Sequence, residues 1–164
     1  MLRDKSLIPL SHQHQHALAL CVRIDRARPI APADLEAWQA EIERQFAEEI
    51  KVHFFAEEKV LFPAARQFPA LVALIDELLA EHALLRAWFA QAETRSMAAE
   101  DVAHFARQLS EHIRREERQL FEQVQELMTA GELAVLGQKL DGALQEAVHS
   151  CGILHRTGKS AKQK

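Results

Sequence analysis

A histidine followed four residues later by a glutamate, inside an apolar run, occurs twice in this sequence. The stretch "HFFAEEKVLFP" carries His53 and Glu57, and "HIRREERQLFE" carries His112 and Glu116. In each, a second acid follows at once (Glu58, Glu117), and then a Leu-Phe pair (Leu61-Phe62, Leu120-Phe121). Residues four apart lie one turn above each other on the same helix face. Each imidazole therefore sits beside its carboxylate on a surface whose neighbours, such as Phe54 and Leu61, ask to be buried. A buried carboxylate without a partner costs several kcal/mol or gives up its charge. Metal ions would satisfy both groups. A mixed histidine–carboxylate set with open positions suits iron or manganese better than zinc.

Two further histidines share this phase. His14 lines up with Leu10, Leu18 and Cys21, and His82 with Leu78, Leu79 and Leu85. His53 and Glu57 share a face with Ile50 and Leu61, while His112 and Glu116 sit between Leu109 and Leu120. Two cations bridged by Glu57 and Glu116, with His14, His53, His82 and His112 as terminal ligands, would satisfy all six groups. One motif alone would be read as a hydrogen-bonded pair on a half-exposed seam; two motifs with two phased histidines favour metal. His12 and His16 lie off the leucine face and read as exposed or as outer partners, either being an alternative to His14. Glu58 and Glu117 read as solvated, or as paired with Arg114, Arg115 or Arg118. His104 reads as the polar end of a core stripe, Cys21 as a small buried hydrophobe, and Phe54, Phe55, Phe62, Phe89 and Phe121 as core. His149, Cys151 and His155 would suggest a second, soft-metal site, but a flexible tail argues against it. The sequence has no tyrosine, which excludes a phenolate ligand from this chain.

The elements that must position these residues are helices. All five prolines fall within the first 70 residues and all five glycines after residue 130, with Ala, Leu, Glu, Gln and Arg dominating between. A first helix should start at Ser11 as N-cap and stop before Pro29. A second follows "PIAPAD" and runs to Phe62, where Pro63 ends or kinks it. A third opens near Pro69, a fourth at "SMAAED" running to Met128, and a short fifth at the capping-box sequence "TAGE", ending near Val148. Short connections make the first four an up-down-up-down bundle, an all-α fold with an additional C-terminal helix. At about 1.5 Å per residue, His53, His82 and His112 fall in one layer, whereas His14 misses it by roughly 9 Å.

The 164 residues suffice for one domain, expected over 1–148, with a flexible basic tail at 149–164. A net charge of -4 argues against nucleic-acid or membrane partners. No apolar run approaches the roughly 20 residues that span a bilayer, no signal-peptide pattern opens the chain, and two cysteines make no disulfide framework. A cytoplasmic location is expected.

In order, "LSHQHQHALALCVRI", "HFFAEEKVLFP", "EHALLR" and "HIRREERQLFE" resemble the hemerythrin-like HHE cation-binding family over about residues 7–128. The resemblance implies His14, His53, Glu57, His82, His112 and Glu116 as ligands of two non-haem irons, oxo- or hydroxo-bridged, with the glutamates bridging. Oxygen-carrying hemerythrins place a second histidine four residues after the third-helix ligand; here that position is Arg86. They also space the fourth-helix carboxylate one residue further, as aspartate. The sequence is thus similar to the six-ligand branch, which includes proteins of iron-cluster repair and nitric-oxide handling. That implies a small diatomic partner, oxygen or nitric oxide, and argues against plain reversible oxygen carriage. An enzyme reducing nitric oxide or peroxide from an external electron donor, or an iron donor for iron–sulfur cluster repair, are the alternatives.

Overall fold

A computed structural model describes residues 2–157, with side chains through residue 147; Met1 and residues 158–164 lie outside the described residues. The described residues form five helical runs and no strand. Helix α1 is Ile8–Arg26. Helix α2 covers residues 35–65, joining Leu35–Gln45, Lys51–Ala56 and Phe62–Ala65 through π turns at Phe46–Ile50 and Glu57–Leu61. Helix α3 is Val72–Glu93. Helix α4 covers residues 99–127, with a π turn at Glu116–Leu120 between Ala99–Arg115 and Phe121–Leu127. Helix α5 is Ala130–Thr157. The first four pack as the expected bundle, α1 against α4 and α2 against α3. Among the described residues, no helix is long and apolar enough to cross a membrane.

Several boundaries differ from the sequence reading, each for a local reason. Helix α1 begins a turn before Ser11, because Pro9 lacks an N–H and fits in a first turn, where none is needed. Helix α2 passes Pro63 and continues to Ala65. The preceding turn is already wide, with the Phe62 N–H bonded to the Glu57 carbonyl, so the bond that proline lacks falls where the ladder changes register. Helix α5 is not short. It opens on the expected capping box, with the Thr129 N–H donating to Glu132 Oε2 at 2.8 Å and the Glu132 N–H to Thr129 Oγ1 at 3.3 Å. It then runs 28 residues, past the expected tail boundary at Val148. The side chains of His149, Cys151 and His155 lie outside the described residues.

The π turns explain the Leu-Phe pairs. Four residues after an inward glutamate an α-helix points inward again, but the fifth residue is turned away. A π turn holds one more residue, so both Leu61 and Phe62, and both Leu120 and Phe121, face the core at no more than 2% exposure. Each buried Phe gains about 1.5–3 kcal/mol over exposure.

Two apolar clusters flank the histidine–glutamate layer. One contains Leu20, Ile24, Ile42, Phe89 and Phe105, with Trp38 and Trp88 packed against it. The other contains Leu10, Leu61, Phe62, Ile75 and Phe121, and takes Leu133, Leu136 and Leu140 from α5. Helix α5 lies along Lys51–Ala56 and Glu57–Leu61 of α2. It also presses on the N-terminal segment: a Cβ on Gly137 would stand 2.8 Å from Ser6 Oγ and 3.1 Å from its Cα.

Candidate metal centre

The six expected ligands converge. His14, His53, Glu57, His82, His112 and Glu116 form one layer with no member more than 4% exposed. His14 lies in this layer despite the expected shortfall, buried at 2% exposure. The His14 and His53 rings lie 4.5 Å apart between centroids. His12 and His16 point outward; His16 is 66% exposed and pairs with Glu49 at 2.8 Å.

Each glutamate turns one oxygen to each pair of histidines. His14 Nε2 lies 3.1 Å from Glu116 Oε2, and His53 Nε2 lies 3.2 Å from Glu57 Oε1. On the other side, His82 Nε2 stands 3.4 Å from Glu57 Oε2, and His112 Nε2 stands 3.3 Å from Glu116 Oε1. Two donors held by one ion at right angles, each about 2.1 Å from it, would themselves be about 3 Å apart. The four histidine Nε2 atoms and four glutamate oxygens are buried, and none has a well-aligned hydrogen bond among the described residues. Buried polar groups are otherwise almost always satisfied. His14, His53, Glu57 and Glu116 form one set that could hold a metal ion, and His82, His112 and Glu116 a second.

Behind each imidazole stands an acceptor for the other ring nitrogen. His14 Nδ1 is 2.7 Å from Glu117, His53 Nδ1 is 2.9 Å from Gln13, His82 Nδ1 is 2.8 Å from Glu58, and His112 Nδ1 is 2.8 Å from Glu81. With an acceptor there, Nδ1 carries the hydrogen and Nε2 presents its lone pair inward, which is how ligating histidines are held. Arginines in turn hold the acids: Arg3 on Glu117 at 2.5 Å, Arg86 on Glu58 at 2.7 Å, and Arg115 on Glu81. Glu58 and Glu117 are therefore not solvated acids paired within their own helices. They reach across to the histidines of α3 and α1, at 2.8 and 2.7 Å. Gln13, Glu81 and Arg3 escaped the sequence reading. They lie on polar flanks, where periodicity carries no signal.

Without metal, protons supply the positive charge. Burial would lower the pKa of His14, but the carboxylates of Glu116, Glu117 and Glu57 outweigh it and raise it to about 9. His82 is opposed by burial in the same way, and Glu116, Glu57 and Glu58 carry it up to about 11. Burial pushes Glu116 upward, yet His112, His14 and His82 hold it well below the usual carboxylate range. A metal ion would displace these protons.

The remaining expectations divide. Cys21 is buried, and burial pushes its thiol up to about 12, so it behaves as a hydrophobe. Phe54 stacks on His82 at 3.8 Å, and Phe121 on His14 at 5.4 Å, closing the layer above and below. Phe55 is only partly buried, with Lys59 over its ring at 4.8 Å. His104 is exposed and ends no core stripe. Arg86 does not enter the layer; it lies 42% exposed at the rim, over the Phe54 ring.

No curated protein and no solved structure matches the chain. Residues 9–124 match the family model of the hemerythrin HHE cation binding domain, and all six inward ligand candidates fall inside that span. The chain belongs to the hemerythrin HHE cation-binding family.

Proposed function

We propose that the protein binds two non-haem irons, one between His14 and His53 and one between His82 and His112, with Glu57 and Glu116 bridging, and that it senses or handles oxygen or nitric oxide. The observation that carries this reading is the set of eight buried ligand atoms that face one another without hydrogen-bond partners among the described residues. Two histidines and two carboxylate oxygens per ion would leave coordination positions free, the pattern of non-haem iron sites that engage small molecules. Bound iron would supply those open positions and one-electron redox steps. The chain's own residues do the rest. Glu58, Glu81, Glu117 and Gln13 fix the imidazole tautomers, and Phe54 and Phe121 keep water from the layer.

The test begins with metal-free protein, loaded with ferrous iron under anaerobic conditions and assayed by elemental analysis and Mössbauer spectroscopy. Close to two irons per chain in one coupled cluster is expected. Stopped-flow mixing should then give a rapid optical change with nitric oxide, and irreversible oxidation in air. One mononuclear iron per chain, or no response to either gas, would overturn the reading. Sustained consumption of either gas with a reductant present would assign an enzyme rather than a sensor.

A further inference from the structure

The four imidazoles are not backed alike. Three donate from Nδ1 to a carboxylate, whereas His53 donates to the neutral amide oxygen of Gln13 at 2.9 Å. The difference divides unevenly between the two sides of the layer. His82 and His112 are backed by Glu58 and Glu81, two carboxylates. His14 and His53 are backed by Glu117 and Gln13, one carboxylate and one amide. A carboxylate behind the ring draws the Nδ1 proton and makes Nε2 a more basic ligand; an amide does so far less.

We propose that Gln13 makes the two metal positions unequal, so that the ion between His14 and His53 is held more weakly and keeps the lower oxidation state. This rests on the two-ion reading above. Each of the three acids carries one arginine, Arg86 on Glu58, Arg115 on Glu81 and Arg3 on Glu117, so formal charge behind the two sides balances and the difference lies in the acceptor at Nδ1, carboxylate oxygen against amide oxygen. The inner carboxylates do not produce it. Their shortest oxygen contacts are 3.1 and 3.2 Å on the first side and 3.3 and 3.4 Å on the second. By distance the first side is slightly the better assembled. A carboxylate can turn by a few tenths of an ångström to meet an ion, however, while no motion makes the Gln13 amide as strong an acceptor as a carboxylate. More basic imidazoles favour the more positive ion, so ferric iron collects between His82 and His112.

The experiment is iron withdrawal from the fully loaded ferrous protein by a graded series of chelators, followed by one-electron oxidation and Mössbauer spectroscopy. The parent should lose its irons in two steps about tenfold or more apart in affinity, and the half-oxidised form should show one trapped ferric and one ferrous site. Gln13→Glu places a carboxylate behind His53; the weaker step should tighten about tenfold and the two should merge. Glu81→Gln reaches the same equality from the other side by weakening the stronger step. Circular dichroism confirms that each variant is folded, and the pair guards against one of them failing. A parent that binds two irons and releases them in one step overturns the inference and leaves the two-ion reading standing. So do two steps that neither variant moves. A parent that never holds two irons sinks the two-ion reading and this inference with it.

Discussion

The motif on α2 and the motif on α4 share a spelling and a local build, but not their surroundings. Each sets its histidine one turn before an inward glutamate, opens a π turn at that glutamate and buries the Leu-Phe pair that follows. Each second acid crosses to a neighbouring helix, Glu58 to His82 and Glu117 to His14. The likeness stops there. His53 leans on an amide from α1 and His112 on a carboxylate from α3. The α2 motif lies under α5, whereas the α4 motif is covered by the N-terminal segment, whose Arg3 donates to the Glu117 carboxylate and backbone carbonyl and to Gln125. A repeated motif can thus specify a repeated inner layer, while elements outside the repeat make the halves differ.

The largest test of this comparison removes the bridges. Glu116 belongs to both candidate metal sets and Glu57 to one. Each also turns an oxygen to both histidine pairs, so Glu57→Ala and Glu116→Ala should each sharply lower the iron retained after desalting, Glu116→Ala the more. Elemental analysis of the reconstituted variants decides it; equal losses would mean the two motifs are equivalent as bridges.

Next come the crossing acids. Glu58→Ala and Glu117→Ala each strip an imidazole of its acceptor and should weaken metal binding about 10–100-fold in chelator competition, without lowering the stoichiometry at saturating iron. Unchanged affinity in both would return these residues to the status of surface acids.

That second prediction departs from what phase alone suggests, and it marks how far the sequence could be read. The inner layer was legible, because His14, His53, His82 and His112 share helix faces with leucines and a polar group on an apolar face must be compensated. The fold was legible too, since a glycine-free stretch with prolines confined to its first 70 residues leaves few alternatives to helices. The outer partners were not. Gln13, Glu81 and Arg3 come from flanks that solvent would tolerate equally, and their placement depends on which helices neighbour each other. The π turns left a signal that went unread: Leu61 and Phe62 cannot both face inward from Glu57 on an unbroken α-helix.

A smaller effect should appear with pH. His14 and His82 have pKa values raised above the usual 6.5 in the metal-free fold. A raised folded value adds stability that is complete below about 6.5 and is lost as pH climbs through about 9 for His14. The melting temperature of metal-free protein should fall between pH 7 and 10, while iron-loaded protein, with no protons at those nitrogens, should not follow. Over the same range chelator competition should show tighter iron binding as pH rises. Parallel melting curves with and without metal would contradict the protonation scheme.

The smallest change separates the coverings of the two motifs. Gly137→Ala gains up to about 1 kcal/mol of helix propensity but sets its Cβ against Ser6, including its backbone. A net loss of a few degrees in melting temperature is expected, with iron content unchanged. A rise in melting temperature would mean that α5 is free to lift from the N-terminal segment.

The placement of the two tryptophans has an optical consequence. Trp38 and Trp88 both pack on the apolar cluster remote from α5, and the chain has no tyrosine to compete with them. Indole emission therefore reports one end of the bundle only, whereas far-ultraviolet dichroism averages over both. Trp88 stands about 9 Å along α3 from His82, near enough for an iron chromophore to quench it. A single untagged sample can thus read metal loading from its emission intensity. Comparing its emission and dichroism melts then tells whether the two ends unfold as one unit.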